Sequence, residues 1–151
     1  MTAMLIDTNV LVYAYDRSEP EKQRRALEVL DELVRTGGGC LSAQTLSEFF
    51  VTVTGKIATP LTVEQAERRI EHYARIWPIV PVTARVVAEA IRGVREYQFS
   101  FWDAQIWAGA RLHRIPTVLS KDFNPGTTID GVRFVDPFEG DFRLRGWDLG
   151  A

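Results

Sequence analysis

A chain of 151 residues with 46% hydrophobic and 25% charged side chains can bury a core of its own and has the composition of an ordinary globular protein. Its single cysteine, Cys40, excludes an intrachain disulfide and any Cys-x-x-Cys site, and His72 and His113 lack metal-ligand spacing. The formal charge of −2 supplies no basic footprint for nucleic acid, although bound cations would reverse its sign, and no apolar run reaches the roughly 20 residues that cross a bilayer.

Met4-Leu5-Ile6 reads as a first strand that stops at Asp7-Thr8-Asn9, residues that favour helix N-caps over strand interiors. Asp7 is therefore expected at the carboxyl end of a strand, the edge at which open α/β sheets bind ligands. A short helix to about Tyr15 follows. Glu19 to Thr36 then sets Ala26, Leu27, Leu30, Leu33 and Val34 at helical spacing. Gly37-Gly38-Gly39 closes that helix and, with no Lys-Ser/Thr after it, is a turn and not a phosphate loop. Cys40-Leu41-Ser42 predicts a second strand and Gln44 to Ile57 a helix, which Pro60 ends.

Thr62 begins another helix, with Val63, Ala66, Ile70, Tyr73 and Trp77 on one stripe. Pro78 and Pro81 bracket Ile79-Val80, a short third strand that its prolines assign to a sheet edge. Thr83 opens a helix running through Val94, and Ser100 to His113 is apolar on most faces, as a buried helix is. Pro116 to Leu119, entering Ser120-Lys121-Asp122, and, after the turn Asp130-Gly131, Val132 to Val135 are the last strands, while the tail at 139–151 has no assigned structure. The pattern predicts a single α/β domain over residues 1–151, with a mainly parallel central sheet of four to five short strands flanked by helices.

The acidic residues separate by neighbourhood. Residues 1–15 hold only Asp7, residues 40–58 only Glu48, residues 98–114 only Asp103 and residues 116–129 only Asp122, each in an apolar segment. Most other acids lie in Arg- and Glu-rich helices or in the tail, as on a solvated face. A carboxylate buried without a partner is strongly disfavoured, so these need partners. Local structure offers some. Thr45-Leu46-Ser47-Glu48 and Ser100-Phe101-Trp102-Asp103 fit capping boxes, Asp7 can cap the helix after it, and Asp122 can close an Asx turn before Asn124-Pro125-Gly126. Chemistry offers another, because two of these acids follow strands, two open helices, and all those ends can meet at one edge of a parallel sheet. Gathered there they repel unless a cation joins them, and oxygen donors without Cys or His suit Mg2+ or Mn2+ and phosphodiester hydrolysis.

Leu5-Ile6-Asp7-Thr8-Asn9-Val10-Leu11-Val12, Ser42-Ala43-Gln44 leading to Glu48-Phe49, Phe99-Ser100-Phe101-Trp102-Asp103-Ala104, and Leu119-Ser120-Lys121-Asp122 with Ile129-Asp130-Gly131-Val132 together resemble the PIN domain. More narrowly, they resemble the VapC-type toxins of toxin–antitoxin pairs, over a stretch that runs to about Phe138. The resemblance implies that Asp7, Glu48, Asp103 and Asp122 are catalytic residues and metal ligands, and that Thr8, Asn9 and Ser120 support them or position the substrate. It further implies an endoribonuclease that uses Mg2+ or Mn2+ on an RNA substrate, forms a homodimer and is restrained by a small antitoxin protein, while the lone cysteine suits the reducing cytosol and so a cytoplasmic protein. Large aromatics beyond the evident needs of a small core (Phe49, Phe50, Tyr73, Trp77, Trp102 and Trp107) are in keeping with such an assembly.

Lys121 departs from the pattern, standing where many relatives carry another acid, and the residues after Glu139 have no counterpart in it. Other readings are a housekeeping PIN nuclease, a non-catalytic RNA-binding PIN protein and a phosphoacceptor receiver module. A receiver usually has adjacent acids after its first strand, where Ile6-Asp7-Thr8 offers one.

Overall fold

The computed structural model describes residues 3–140 and Phe142. In chain order its elements are β1 (Met4–Ile6), α1 (Thr8–Tyr13), α2 (Pro20–Thr36), β2 (Gly39–Ser42), α3 (Ala43–Gly55) and α4 (Val63–Ile76), then β3 (Ile79–Val80), α5 (Ala84–Tyr97), α6 (Phe101–Leu112), β4 (Thr117–Leu119), β5 (Thr128–Ile129) and β6 (Val132–Val135). The strands form one sheet in the order β3-β2-β1-β4-β6-β5, parallel except where β5 meets β6. From β1 the chain winds outward through β2 to β3. It then returns through α5 and α6 to the other side of β1, so that the β1–β4 boundary is the switch point where crevices open in such sheets.

Helices cover both faces, which is why the inner strands are continuously apolar and do not alternate. Met4 and Ile6 point into a core built from α1 to α4 around Leu30, Leu33, Phe49, Val53 and Trp77. Leu5 points the other way, into a core with Trp107, Val118 and Phe134 that α5 and α6 close. The edge assignment of Ile79-Val80 agrees with its terminal place in the sheet. Beyond the five strands legible in the sequence lies β5, a two-residue antiparallel strand too short to leave a periodicity. It is held in a hairpin by Asp130 and Gly131 at φ 48° and 82°, with Arg92 and the Tyr97 hydroxyl both donating to Asp130 Oδ2 at 2.7 and 2.9 Å.

Within the triple glycine, Gly37 is the left-handed C-cap of α2 at φ 76°. Gly39 has a different duty. A Cβ there would fall 2.6 Å from the Trp77 indole, so the ring lies directly on the β2 backbone. At the tail, Phe138 packs edge-on to Tyr13 at 5.1 Å, and Phe142 is buried beneath the Arg25 guanidinium at 5.7 Å. The rest of the 139–151 stretch beyond Gly140 lies outside the described residues.

Candidate active site

The parallel register decides what leaves the sheet together. Ile6 is paired with Leu119 and Leu119 with Val135, so β1 and β4 end level, and Asp7 and Ser120 emerge side by side. Their backbone amides still belong to the sheet, with Asp7 N donating to Leu119 O and Ser120 N to Val135 O, each at 2.9 Å. Asp7 caps α1 by accepting from Thr8 N at 2.8 Å. Its other oxygen, Oδ2, accepts from the Ser120 hydroxyl at 2.7 Å and more loosely from the Asn9 amide at 3.4 Å. Asp7 thus caps α1 through one oxygen and leaves the other to Ser120 and Asn9.

Asn9 ties the two strand ends together. Its amide nitrogen also donates to Ser120 Oγ and to Asp122 Oδ2, both at 3.1 Å, while its carbonyl accepts from Lys121 N at 3.1 Å. Asp122 N in turn donates to Ser120 Oγ at 3.1 Å, so the loop after β4 is shaped by the side chains of Asn9 in α1 and of Ser120 just past the strand end. Across the crevice, Glu48 Oε1 accepts from the Thr8 hydroxyl at 2.8 Å and from Gln44 Nε2 at 3.3 Å. Gln44 is fixed in turn by Gln105 Nε2, which donates to its carbonyl at 2.8 Å.

The capping-box reading of Thr45 to Glu48 does not survive. Helix α3 begins at Ala43, because Ser42, still extended at the end of β2, is its N-cap and accepts from Thr45 N at 3.2 Å. Glu48 therefore lies in the second turn, turned toward Thr8. For Asp103 the N-cap half of the box is present, with Ser100 Oγ accepting from Asp103 N at 3.3 Å.

Asp7, Glu48, Asp103 and Asp122 all line one cavity of about 400 Å3, with Thr8, Asn9, Asp16, Gln44, Lys56 and Lys121 also in its wall. Asp7 is only 6% exposed. Burial lifts its carboxyl from 3.8 to about 6; the bonds from Ser120 and Thr8 oppose the rise, and the charges of Asp103 and Glu48 add to it. Asp103 is half-buried and raised as well, chiefly by desolvation, with the Asp122 charge contributing. The carboxylates feel one another, as groups converging on one space must.

Among the described residues no group of three or more His, Cys, Asp and Glu side chains is drawn together as a preformed metal cage. In chemical kind the wall still suits a hard divalent cation, since its donors are carboxylate, hydroxyl and amide oxygens and its buried carboxylate is only partly compensated. Gln44 and Gln105 were not among the residues singled out as a site. The available signal was an uncharged amide in each of two otherwise apolar segments, α6 above all. Lys56 and Asp16 left no such mark.

A second, more apolar groove of about 610 Å3 shares Thr8, Gln44, Glu48, Thr52 and Lys56 with the first and extends over Val51, Val82 and Trp102. Trp102 is 60% exposed. Of the other large aromatics, Phe49, Tyr73, Trp77 and Trp107 are buried in the core.

A family model described as PIN domain matches residues 4–125. Comparison with curated proteins found no match. Among solved structures, a toxin–antitoxin complex from Klebsiella pneumoniae aligns with a TM-score of 0.64 at 23% identity, over 91% of this chain and 99% of that one. FitAcB from Neisseria gonorrhoeae aligns at 0.65 with 22% identity, over 89% and 98% of the two chains. VapC20 from Mycobacterium tuberculosis, a sarcin-ricin loop cleaving toxin, gives 0.59 with 15% identity over 85% and 98%. At these identities the likeness is one of fold.

Proposed function

The chain belongs to the PIN-domain family, and from that premise we propose that it is a Mg2+- or Mn2+-dependent endoribonuclease, the toxin of a toxin–antitoxin pair. The observation that carries the proposal is the convergence of Asp7, Glu48, Asp103 and Asp122 on one cavity at the carboxyl ends of β1 and β4. These four are its catalytic residues and metal ligands. Ser120 and Asn9 hold Asp7 and Asp122 in place, and Thr8 and Gln44 hold Glu48. A divalent cation in the cavity would supply the positive charge that acidifies a water and stabilises phosphate oxygens.

In this proposal residues 1–151 act as one domain in the cytoplasm. Among the described residues no helix is long and apolar enough to cross a membrane. A homodimer and a small antitoxin complete the proposal. The apolar groove bearing the exposed Trp102, Val51 and Val82 supports a protein partner, as does likeness to toxins solved in toxin–antitoxin complexes. The test is incubation of the purified protein with end-labelled RNA in Mn2+ and in EDTA. Internal cleavage in Mn2+ alone supports the proposal, and intact RNA in both removes it.

A further inference from the structure

The chain has three lysines, at 22, 56 and 121. Lys22 is tied to Glu19 at 2.8 Å and does not line the acidic cavity. The other two both line the acidic cavity, and among the described residues no arginine does. They reach it from different elements. Lys56 is the C-cap residue of α3, its N–H donating to Thr52 O at 2.8 Å. Lys121 sits between Ser120 and Asp122, its backbone fixed by Asn9 while its side chain is exposed.

Both ammonium groups share a wall with five carboxylates, those of Asp7, Asp16, Glu48, Asp103 and Asp122, yet among the described residues neither lysine forms an ion pair. A cation that served only to neutralise the wall would be expected to close on a carboxylate. These remain at the rim with their charge available to something else. For Lys56 a milder explanation is the favourable field of a helix C-terminus. That account does not extend to Lys121, which lies on a loop.

Resting on the nuclease reading above, we propose that Lys56 and Lys121 form a two-sided phosphate clamp, gripping the RNA backbone on opposite sides of the scissile phosphate. The strand then crosses the cavity from the loop after β4 to the end of α3. The chemistry suits the placement. An RNA strand approaching five carboxylates is repelled, and two compact, freely rotating ammonium groups at the rim supply attraction where phosphates pass, without competing for the ligands at the centre.

The experiment measures kcat and KM for Mn2+-dependent cleavage of a single-stranded RNA by wild type, Lys56→Gln, Lys121→Gln and the double variant across a KCl series. Lys→Arg variants serve as rescues, and thermal melts check the fold. Each lost phosphate contact lowers the magnitude of the slope of log(kcat/KM) against log[KCl] by about 0.7, and the double variant by about 1.4. KM is expected to rise several-fold while kcat stays within twofold, the Arg variants restore the slope, and all variants melt with wild type. A slope unchanged in either single variant, or a loss confined to kcat, overturns the clamp while leaving the nuclease reading in place. Wild-type protein that leaves RNA intact overturns both.

Discussion

Replacing Asp7 with asparagine separates the needs of the fold from those of the chemistry. Asp7 is almost wholly buried, and its carboxyl is raised from 3.8 to about 6, so the folded protein binds this proton more tightly than the unfolded chain does. Between those values the native state carries the extra proton, and stability falls as pH rises from about 4 to 6 and is level above. At about 1.4 kcal/mol per decade the ionised group costs the metal-free fold about 3 kcal/mol at pH 7.5. Asparagine removes that cost but turns an amide toward Ser120 and Asn9, which now donate to Oδ2, giving back roughly 1 kcal/mol. The expected net gain of about 1–2 kcal/mol raises the melting temperature in EDTA by about 2–8 °C at pH 7.5. Near pH 4 the gain disappears. Glu89 and Asp130, held below the ordinary carboxylate range by Arg92, act with the opposite sign as pH falls, so the quantity to read is the difference between variant and wild type. Urea titrations at the two pH values measure it. A variant less stable than wild type at pH 7.5 refutes the reasoning and returns Asp7 to a purely structural role.

Other outcomes test separate parts of the account. Ser42→Ala should cost about 0.5–2 kcal/mol through loss of the α3 N-cap, in a denaturation series where Thr45→Ala serves as comparison for the discarded cap. Gly39→Ala forces a Cβ into the Trp77 ring and should cost about 1–3 kcal/mol by the same assay; a neutral result would show that the indole moves aside. Cys40, buried and pushed up to about 12, should resist iodoacetamide at pH 8 in the native protein and react quickly once urea unfolds it. If the Trp102 groove carries a second copy of the chain, Trp102→Ala should shift light-scattering mass from dimer toward monomer; a wild type that is monomeric at micromolar concentration contradicts the homodimer.

How legible each part was depended on whether its cause was local. Five strands and the long helices announced themselves through periodicity, glycine and proline, because each is decided by neighbours within a turn or two. The antiparallel β5 did not, since two residues carry no period and its place depends on the Asp130 turn and Arg92 from a distant helix. Asp7, Glu48, Asp103 and Asp122 stood out as lone acids in apolar surroundings, and the cavity they share follows from the level ends of β1 and β4. Glu48 shows where local reasoning misleads. A plausible cap at Thr45 was superseded by Ser42, which β2 delivers to the helix start in the extended conformation a cap requires. The support from Gln105 through Gln44 to Glu48 spans α6 and α3, a contact that only the packed fold creates. Lys56 was equally silent, because a lone lysine at a helix end looks like any solvated charge until the cavity beside it is seen.

The central claim is that the carboxylates around this cavity cut RNA with a divalent metal, and Asp103→Asn examines it most directly. Asp103 is half-buried at the start of α6, and its N-cap bond runs through its backbone nitrogen, so asparagine preserves the helix while removing a charge from the cavity. End-labelled RNA incubated with equal amounts of wild type and variant in Mn2+, at matched thermal stability, gives the answer on one gel. The account predicts internal cleavage by wild type, none in EDTA, and a rate lowered by roughly two orders of magnitude or more in the variant, as the loss of several kcal/mol of charge stabilisation requires. A folded variant that cuts RNA at the wild-type rate would contradict it.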